Sequence, residues 1–264
     1  MKDILITGAC GGMGKAAVKA FAERGYRVFA LDRSIWDEAD ERIIPITADI
    51  TSTADIERAF GEVSAMTDSL CGIIHFAGIY MLDSLVEMSE ESFMRAFDVN
   101  LFGAFRINKV FLPLLRGGSR IVITASELAP LDPLPFTGIY AITKNALDRY
   151  AYSLRMELQL LGISVSVLRP GAVKTEMLGA STAALDRFCE GTQLYTCNAK
   201  RFKGIVDKVE AANVAPDRVA RLALKAMEAK RPRHIYNLNR NPLLRLLNLL
   251  PSKLQTKIIG MVLK

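Results

Sequence analysis

Two hydrophobic rhythms alternate along this chain. A short apolar run, Ile4-Leu5-Ile6, meets a cluster of glycines, after which Ala16, Ala17, Val18, Ala20 and Phe21 recur at the spacing of one helix face. Gly25 closes that helix, and Arg27-Val28-Phe29-Ala30-Leu31 predicts a second strand. The unit then repeats. Ile43-Ile44-Pro45-Ile46 predicts a third strand, Ser52 caps a helix running to about Met66, and Cys71-Gly72-Ile73-Ile74-His75-Phe76 predicts a fourth strand. A long helical segment over about residues 89–115 precedes a fifth strand at 120–124, and a helix over about 139–161 precedes a sixth at 163–168. Residues 176–213 read as an irregular stretch, Pro216 opens a helix reaching Ala229, and His234-Ile235-Tyr236 predicts the last strand. Strands alternating with helices imply right-handed crossovers and a doubly wound parallel sheet covered on both faces, with ligands at the carboxyl ends of its strands.

Composition narrows the function classes. At 264 residues the chain fits one α/β domain, and half of it is hydrophobic with a mean hydropathy of +0.20, enough apolar surface for a packed interior. Charge or proline interrupts every apolar stretch before the ~20 residues a membrane-spanning helix needs. Met1-Lys2-Asp3 runs straight into the first strand, so a cytoplasmic protein without a leader is expected. Cys10, Cys71, Cys189 and Cys197 are scattered and only two histidines exist, which predicts free thiols and no metal site. Of the 34 basic residues eight lie from Lys230 onward, together with none of the 28 acidic ones. The net charge of +6 therefore belongs to the tail, and nucleic-acid binding by the whole protein loses its support.

The candidate chemistry sits at strand ends. Thr7-Gly8-Ala9-Cys10-Gly11-Gly12-Met13-Gly14 lies between the first strand and first helix, where a dinucleotide pyrophosphate would meet backbone N–H groups and the positive end of the helix dipole. Asp32 follows the second strand, where a carboxylate can accept hydrogen bonds from the adenosine ribose and repel a 2′-phosphate. NAD is therefore the preferred cofactor, while Arg33 keeps NADP open as the alternative. Tyr140 and Lys144 stand four apart on a predicted helix, hence on one face, so the cation is expected to pull the phenol down from its ordinary value near 10. Alone, such a pair is most often a solvated helix face. Ser126 ends the fifth strand, able to donate to a carbonyl oxygen; alone it would read as a cap or turn residue.

In this order and spacing the motifs resemble the short-chain dehydrogenase/reductase family over about residues 3–238. Thr7, Gly8, Gly12 and Gly14 match its TGxxxGxG, Asn100, Ser126, Tyr140 and Lys144 its catalytic set, and Pro170-Gly171-Ala172-Val173-Lys174-Thr175 its PGxVxT. The resemblance implies a single-domain Rossmann fold with a doubly wound, seven-stranded parallel sheet, over residues 1–238, and a C-terminal extension over 239–264. It also implies roles. Tyr140 would exchange the hydroxyl proton, Lys144 would hold the nicotinamide ribose and tune the tyrosine, Ser126 would orient the substrate oxygen, and Asn100 would hold a relay water. Thr175 would bind the carboxamide, Asp49 and Ile50 the adenine edge, and Ala77 and Gly78 the adenosine side, with Met13, Pro170, Gly171 and Val173 among the cofactor contacts. The chain departs from the family's Asn-Asn-Ala-Gly with His75-Phe76-Ala77-Gly78, and His75 reads as a packed strand residue. Gly11 also permits TGxxGxxG, the pattern of epimerase relatives whose added substrate domain has no room here.

Leu128, Leu131, Leu134 and Phe136, with Met177, Leu178, Phe188, Leu194, Tyr195 and Phe202 from a lid over 176–213, are expected to line an apolar pocket. That points to a lipophilic secondary alcohol or ketone, such as a hydroxysteroid or bile acid. Arg187, Lys200, Arg201 and Lys203 read equally as partners for a carboxylate at its far end or as solvated surface. The leucine-rich tail resembles the extension of hydroxysteroid and retinol dehydrogenase relatives; it is expected to cover the substrate mouth or join subunits of a homo-oligomer in preference to touching a membrane. An acyl-carrier-protein reductase and a non-catalytic nicotinamide sensor are the alternative functions.

Overall fold

The computed structural model describes residues 2–264, apart from the side chains of residues 176–182. Strands Lys2–Thr7 (β1), Tyr26–Asp32 (β2), Ile43–Thr47 (β3), Leu70–His75 (β4), Leu115–Thr124 (β5), Ser164–Pro170 (β6) and Ile235–Leu238 (β7) form one parallel sheet in the order β3-β2-β1-β4-β5-β6-β7. Strand order reverses between β1 and β4, which opens a crevice at their carboxyl ends.

Successive residues of the central strands serve opposite faces, and both faces are apolar. Leu5, Ile73, Ile121, Ile123, Val165 and Val167 join one buried layer, covered by helices Thr53–Ser64 (α2), Gly103–Phe111 (α4) and Gly138–Leu158 (α5). Ile4, Ile6, Ile74, Val122 and Leu168 join the other, under Gly12–Glu23 (α1) and Pro216–Glu228 (α8). Coverage on both sides is why these strands read as continuous hydrophobic runs instead of alternating ones. Ser52 and Ser89 cap their helices, their hydroxyls accepting from Asp55 N and Ser92 N at 3.2 Å each. Gly25, at φ +88°, stops α1 in the left-handed conformation expected of it.

Three segments differ from expectation. Strand β5 begins five residues early, because Ser119 Oγ accepts from Arg116 N at 3.0 Å and donates to Leu70 O at 2.8 Å, extending the pairing with β4. The long central helix is interrupted: Glu90–Phe97 (α3) and α4 are joined by a π-helical turn at Asp98–Phe102. Residues 176–213 are not irregular but hold two helices, Glu176–Gly191 (α6) and Thr196–Ala211 (α7). Ala199, Phe202 and Val206 recur at helical spacing and join Leu185, Phe188, Phe136 and Leu82 in a third apolar cluster away from the sheet. The tail forms Pro242–Leu247 (α9), capped by Asn241, and Ser252–Leu263 (α10), which packs against α7. Among the described residues no helix is long and apolar enough to cross a membrane.

One ion pair ties α5 to β6. Asp148 accepts from Arg169 Nε and Nη2 at 2.8 and 2.7 Å, and both side chains are largely buried. A buried charge stripped of its partner is far costlier than the intact pair is favourable. Asp148→Ala should lower the free energy of urea unfolding by about 3–5 kcal/mol, and adding Arg169→Met should restore part of it. A loss below ~1 kcal/mol for the single variant would contradict this role.

Candidate active site

The crevice between β1 and β4 is built by backbone contact. Gly8 sits at φ +70°, and a Cβ there would fall 2.4 Å from Ala77 N, so the turn after β1 lies directly on the turn after β4. A Cβ on Gly14 would come within 1.9 Å of Gly8 O. The helix that follows starts at Gly12 behind Gly11, which has no side chain to cap it, and carries no acid in its first turn. Its leading amides are therefore left for a ligand. Gly12 also lets Thr175 approach: a Cβ there would meet Thr175 Cγ2 at 2.7 Å.

An open cleft runs outward from this turn past Gly8, Asp32, Arg33, Asp49, Ile50, Ala77 and Gly78, with Arg95 and Arg106 on its far side. Asp32 braces the glycine loop, its Oδ2 accepting from Cys10 N at 3.0 Å and its Oδ1 from Ser34 N at 2.9 Å. Arg33 beside it is exposed. Asp49 accepts from Thr51 N and Oγ1 at 2.8 and 2.7 Å, and these bonds hold its carboxyl below the usual range. Thr7, fully buried at the end of β1, lines neither this cleft nor the cavity beyond it.

That second cavity, with about 1130 Å³ of empty space open to solvent, shares Phe76, Gly78 and Ile79 with the cleft and holds Ser126, Tyr140 and Lys144. Met13, Pro170, Gly171, Val173 and Thr175 line it too. Ser126 follows β5, while Tyr140 and Lys144 lie one turn apart on α5. Lys144 Nζ donates to Thr124 O at 3.1 Å and stands 5.8 Å from the Tyr140 ring centroid. Tyr80 meets the Tyr140 ring edge-on at 4.6 Å. Asn100 occupies the π-helical turn, where its Nδ2 donates to Ile79 O and Thr143 Oγ1 at 3.0 Å each and its Oδ1 accepts from Ile79 N at 2.8 Å. Its amide thus fastens the loop after β4 to α5.

The electrostatics depart from the expectation for Tyr140. Burial pushes its hydroxyl up to about 12, the nearby Glu127 charge adds to this, and a hydrogen bond with Ser126 works against it. Desolvation sets the direction of this shift. The same burial pushes Lys144 down to about 8. His75 is a packed residue, its Nε2 2.9 Å from Asn108 Oδ1 and its pKa pushed down to about 4 by burial.

The pocket walls agree only in part with expectation. Leu128, Leu134 and Phe202 line the cavity, and Leu131 borders a small neighbouring recess. Phe136 instead turns its ring onto Phe188, Tyr195 and Phe202, with centroids 4.9, 5.2 and 5.3 Å apart. Leu194 is exposed, and the side chains of Met177 and Leu178 lie outside the described residues. Arg187, Lys200, Arg201 and Lys203 do not line the pocket; Lys203 pairs with Asp186 and Asp207. Sequence reasoning missed Ile205, Val206 and Val209 on α7, although with Phe202 they follow the spacing of one helix face. Leu244, from the tail, was missed as well, as were Glu127 and Glu210.

This sheet and side-chain set define an α/β oxidoreductase. The chain belongs to the short-chain dehydrogenase family, whose sequence profile, described as short chain dehydrogenase, matches residues 2–186. It is 32% identical over 225 residues to the uncharacterized oxidoreductase YbbO of Escherichia coli, covering 81% of this chain and 82% of that one. It is 31% identical over 192 residues to mouse estradiol 17-beta-dehydrogenase 2, covering 68% of this chain and half of that longer protein. A solved short-chain dehydrogenase from Burkholderia cenocepacia in complex with NADP superposes with a TM-score of 0.74 at 21% identity over the full length of both chains. The 3-ketoacyl-(acyl-carrier-protein) reductase from Brucella melitensis complexed with NADH gives 0.73 at 22% identity, covering 90% of this chain and 95% of that one.

The low pKa of Lys144 has a consequence for stability. Between pH 8 and 10.5 the unfolded chain holds a proton on this lysine that the folded chain has released, so stability rises with pH across that window. Below pH 8 the folded state carries the buried charge at a cost. Lys144→Met should therefore make the ligand-free protein more stable at pH 7, by on the order of 2 kcal/mol, with the difference shrinking by pH 10. Urea titrations at both pH values check it; a variant less stable at pH 7 would contradict the cost assigned to this charge.

Proposed function

We propose that this protein interconverts a secondary alcohol and a ketone on a lipophilic substrate, with a nicotinamide dinucleotide as the hydride carrier. The observation that carries this reading is the junction of the two cavities: a glycine-cradled cleft with a carboxylate at its outer end opens, past Gly78, onto an apolar pocket holding Ser126, Tyr140 and Lys144. The donor set fits an extended dinucleotide. Gly8, Gly12 and Gly14 leave room for a pyrophosphate at the start of α1, Asp32, Asp49 and Ile50 flank the adenosine end, and Thr175 stands where the inner end would arrive. When bound, the nicotinamide accepts or supplies the hydride.

The chain's own groups then handle the proton and the substrate oxygen. Tyr140 exchanges the hydroxyl proton with that oxygen, and Ser126, hydrogen-bonded to Tyr140, holds the oxygen in line. Lys144 supplies a positive charge behind the tyrosine, and Asn100 holds the loop after β4 against the helix that carries both. A lipophilic substrate is supported by the walls, Leu128, Leu134, Ile205, Val206, Val209 and Leu244, and by the likeness to estradiol 17-beta-dehydrogenase 2. We read α6 and α7 as the lid of this pocket and the tail as its lip, and the exposed Phe105, Tyr152 and Met156 on α4 and α5 as surface for a second copy of the chain.

Tyr140→Phe deletes only the proton-transfer group. Turnover of an apolar ketone, followed as loss of reduced-cofactor absorbance, should fall by ~10²–10⁴-fold with cofactor affinity nearly unchanged. A variant keeping most of its kcat would end the assignment. For the cofactor, Asp32 should give NAD(H) the higher kcat/KM, and Asp32→Ala should raise relative activity with NADP by freeing Arg33 to meet the 2′-phosphate. Wild-type protein that already prefers NADP by a wide margin would show that Arg33 governs this site.

A further inference from the structure

Glu127 directly follows the serine of the site, yet nothing in the proton transfer uses it. It is 6% exposed and lines the pocket. Its Oε2 accepts from Asn241 N, at the start of the tail, at 2.6 Å. Among the described residues its Oε1 has no hydrogen-bond partner, and the carboxylate forms no ion pair. Gly171 keeps the space this oxygen occupies, since a Cβ there would lie 2.7 Å from it. Glu127 N donates to Pro170 O at 2.8 Å, so the residue is held between β5 and β6. It is adjacent to Ser126 and lines the same cavity as Tyr140, which places it near the reacting end of the pocket.

Arg240 acts on Glu127 electrostatically without forming an ion pair, so this buried carboxylate has one amide donor and no paired cation, which is expensive unless something completes its coordination. Fastening the tail does not require a charge, because a neutral amide side chain can also accept from Asn241 N. Lys144 is the one cationic side chain among the described lining residues.

Resting on the function proposed above, we infer that Glu127 forms a second polar subsite, whose free oxygen accepts a hydrogen bond from a hydroxyl or ammonium group that the substrate carries near its reacting carbon. The substrate class is then an apolar diol or amino alcohol, or the corresponding hydroxy- or aminoketone. A substrate bearing a carboxylate at that position is rejected by repulsion.

The test compares a long-chain secondary alkanol with the vicinal diol and the amino alcohol of the same chain. Relative kcat/KM and, by calorimetry with NAD bound, relative affinity are read for wild type and for Glu127→Gln, which keeps an acceptor for Asn241. Hydrogen bonds to charged groups discriminate by on the order of ten- to a hundredfold. Wild type should favour the donor-bearing molecules by that factor, chiefly through KM, and in Glu127→Gln the amino alcohol's advantage should fall to within a few fold of unity. Unchanged ratios in the variant, with or without a loss of thermal stability, would reduce Glu127 to a tail latch and overturn the subsite. The calorimetric arm separates the two proposals: discrimination in binding without turnover of any alcohol leaves the subsite standing and removes the oxidoreductase reading, whereas turnover without discrimination does the reverse.

Discussion

Lys144 carries an ammonium group into the interior, and the surrounding backbone is arranged so that this charge can stay there. Thr124 O, at the end of β5, accepts from Nζ at 3.1 Å. Gly78 lets the loop come close, since a Cβ there would lie a tight 3.2 Å from Nζ and 3.1 Å from Asn100 Oδ1. Asn100 in turn bonds both the N–H and C=O of Ile79 and the hydroxyl of Thr143, the residue before the lysine. The end of β5, the loop after β4, the π-helical turn and α5 thus converge on a single cation. A regular α-helix through Asp98–Phe102 would rotate Asn100 away from this junction, which gives the irregular turn a physical purpose.

The sheet supplies the rest of the geometry. Reversal of strand order between β1 and β4 leaves a crevice that the Gly8–Ala77 contact narrows to backbone thickness, and the helix behind it begins without a cap. Beyond Gly78 the same edge widens between β5, β6 and α7 into the apolar pocket. The bidentate Asp148–Arg169 pair locks α5, which carries Tyr140, onto β6, which leads to Thr175. Glu127 connects the tail to this same edge, so the C-terminal extension is part of the site: Asn241 binds the carboxylate and Leu244 lines the cavity three residues later.

Much of this was legible in the amino-acid sequence, for identifiable reasons. Strands buried on both faces appear as unbroken apolar runs, a capping serine precedes α2, and Tyr140 and Lys144 share a helix face by spacing alone. What was not legible depends on tertiary placement. The helices α6 and α7 bury apolar residues against each other and against Leu82 and Phe136, far away in sequence, so a segment without a sheet partner reads as irregular although its helical spacing is present. Spacing likewise places a cation beside Tyr140 but carries no measure of burial, and burial sets the direction of the Tyr140 shift. Glu127 looks like any surface glutamate in the sequence; only the folded chain puts Gly171 and Asn241 around it.

The central claim is hydride transfer at the junction of cleft and pocket, and isotopic labelling tests it without reference to any substitution. NADH deuterated at both C4 positions, incubated with the protein and a panel of apolar ketones, should yield an alcohol that carries a single deuterium on its carbinol carbon by mass spectrometry. Cofactor oxidation that leaves the carbinol unlabelled, or no oxidation with any ketone under either NADH or NADPH, would contradict the account.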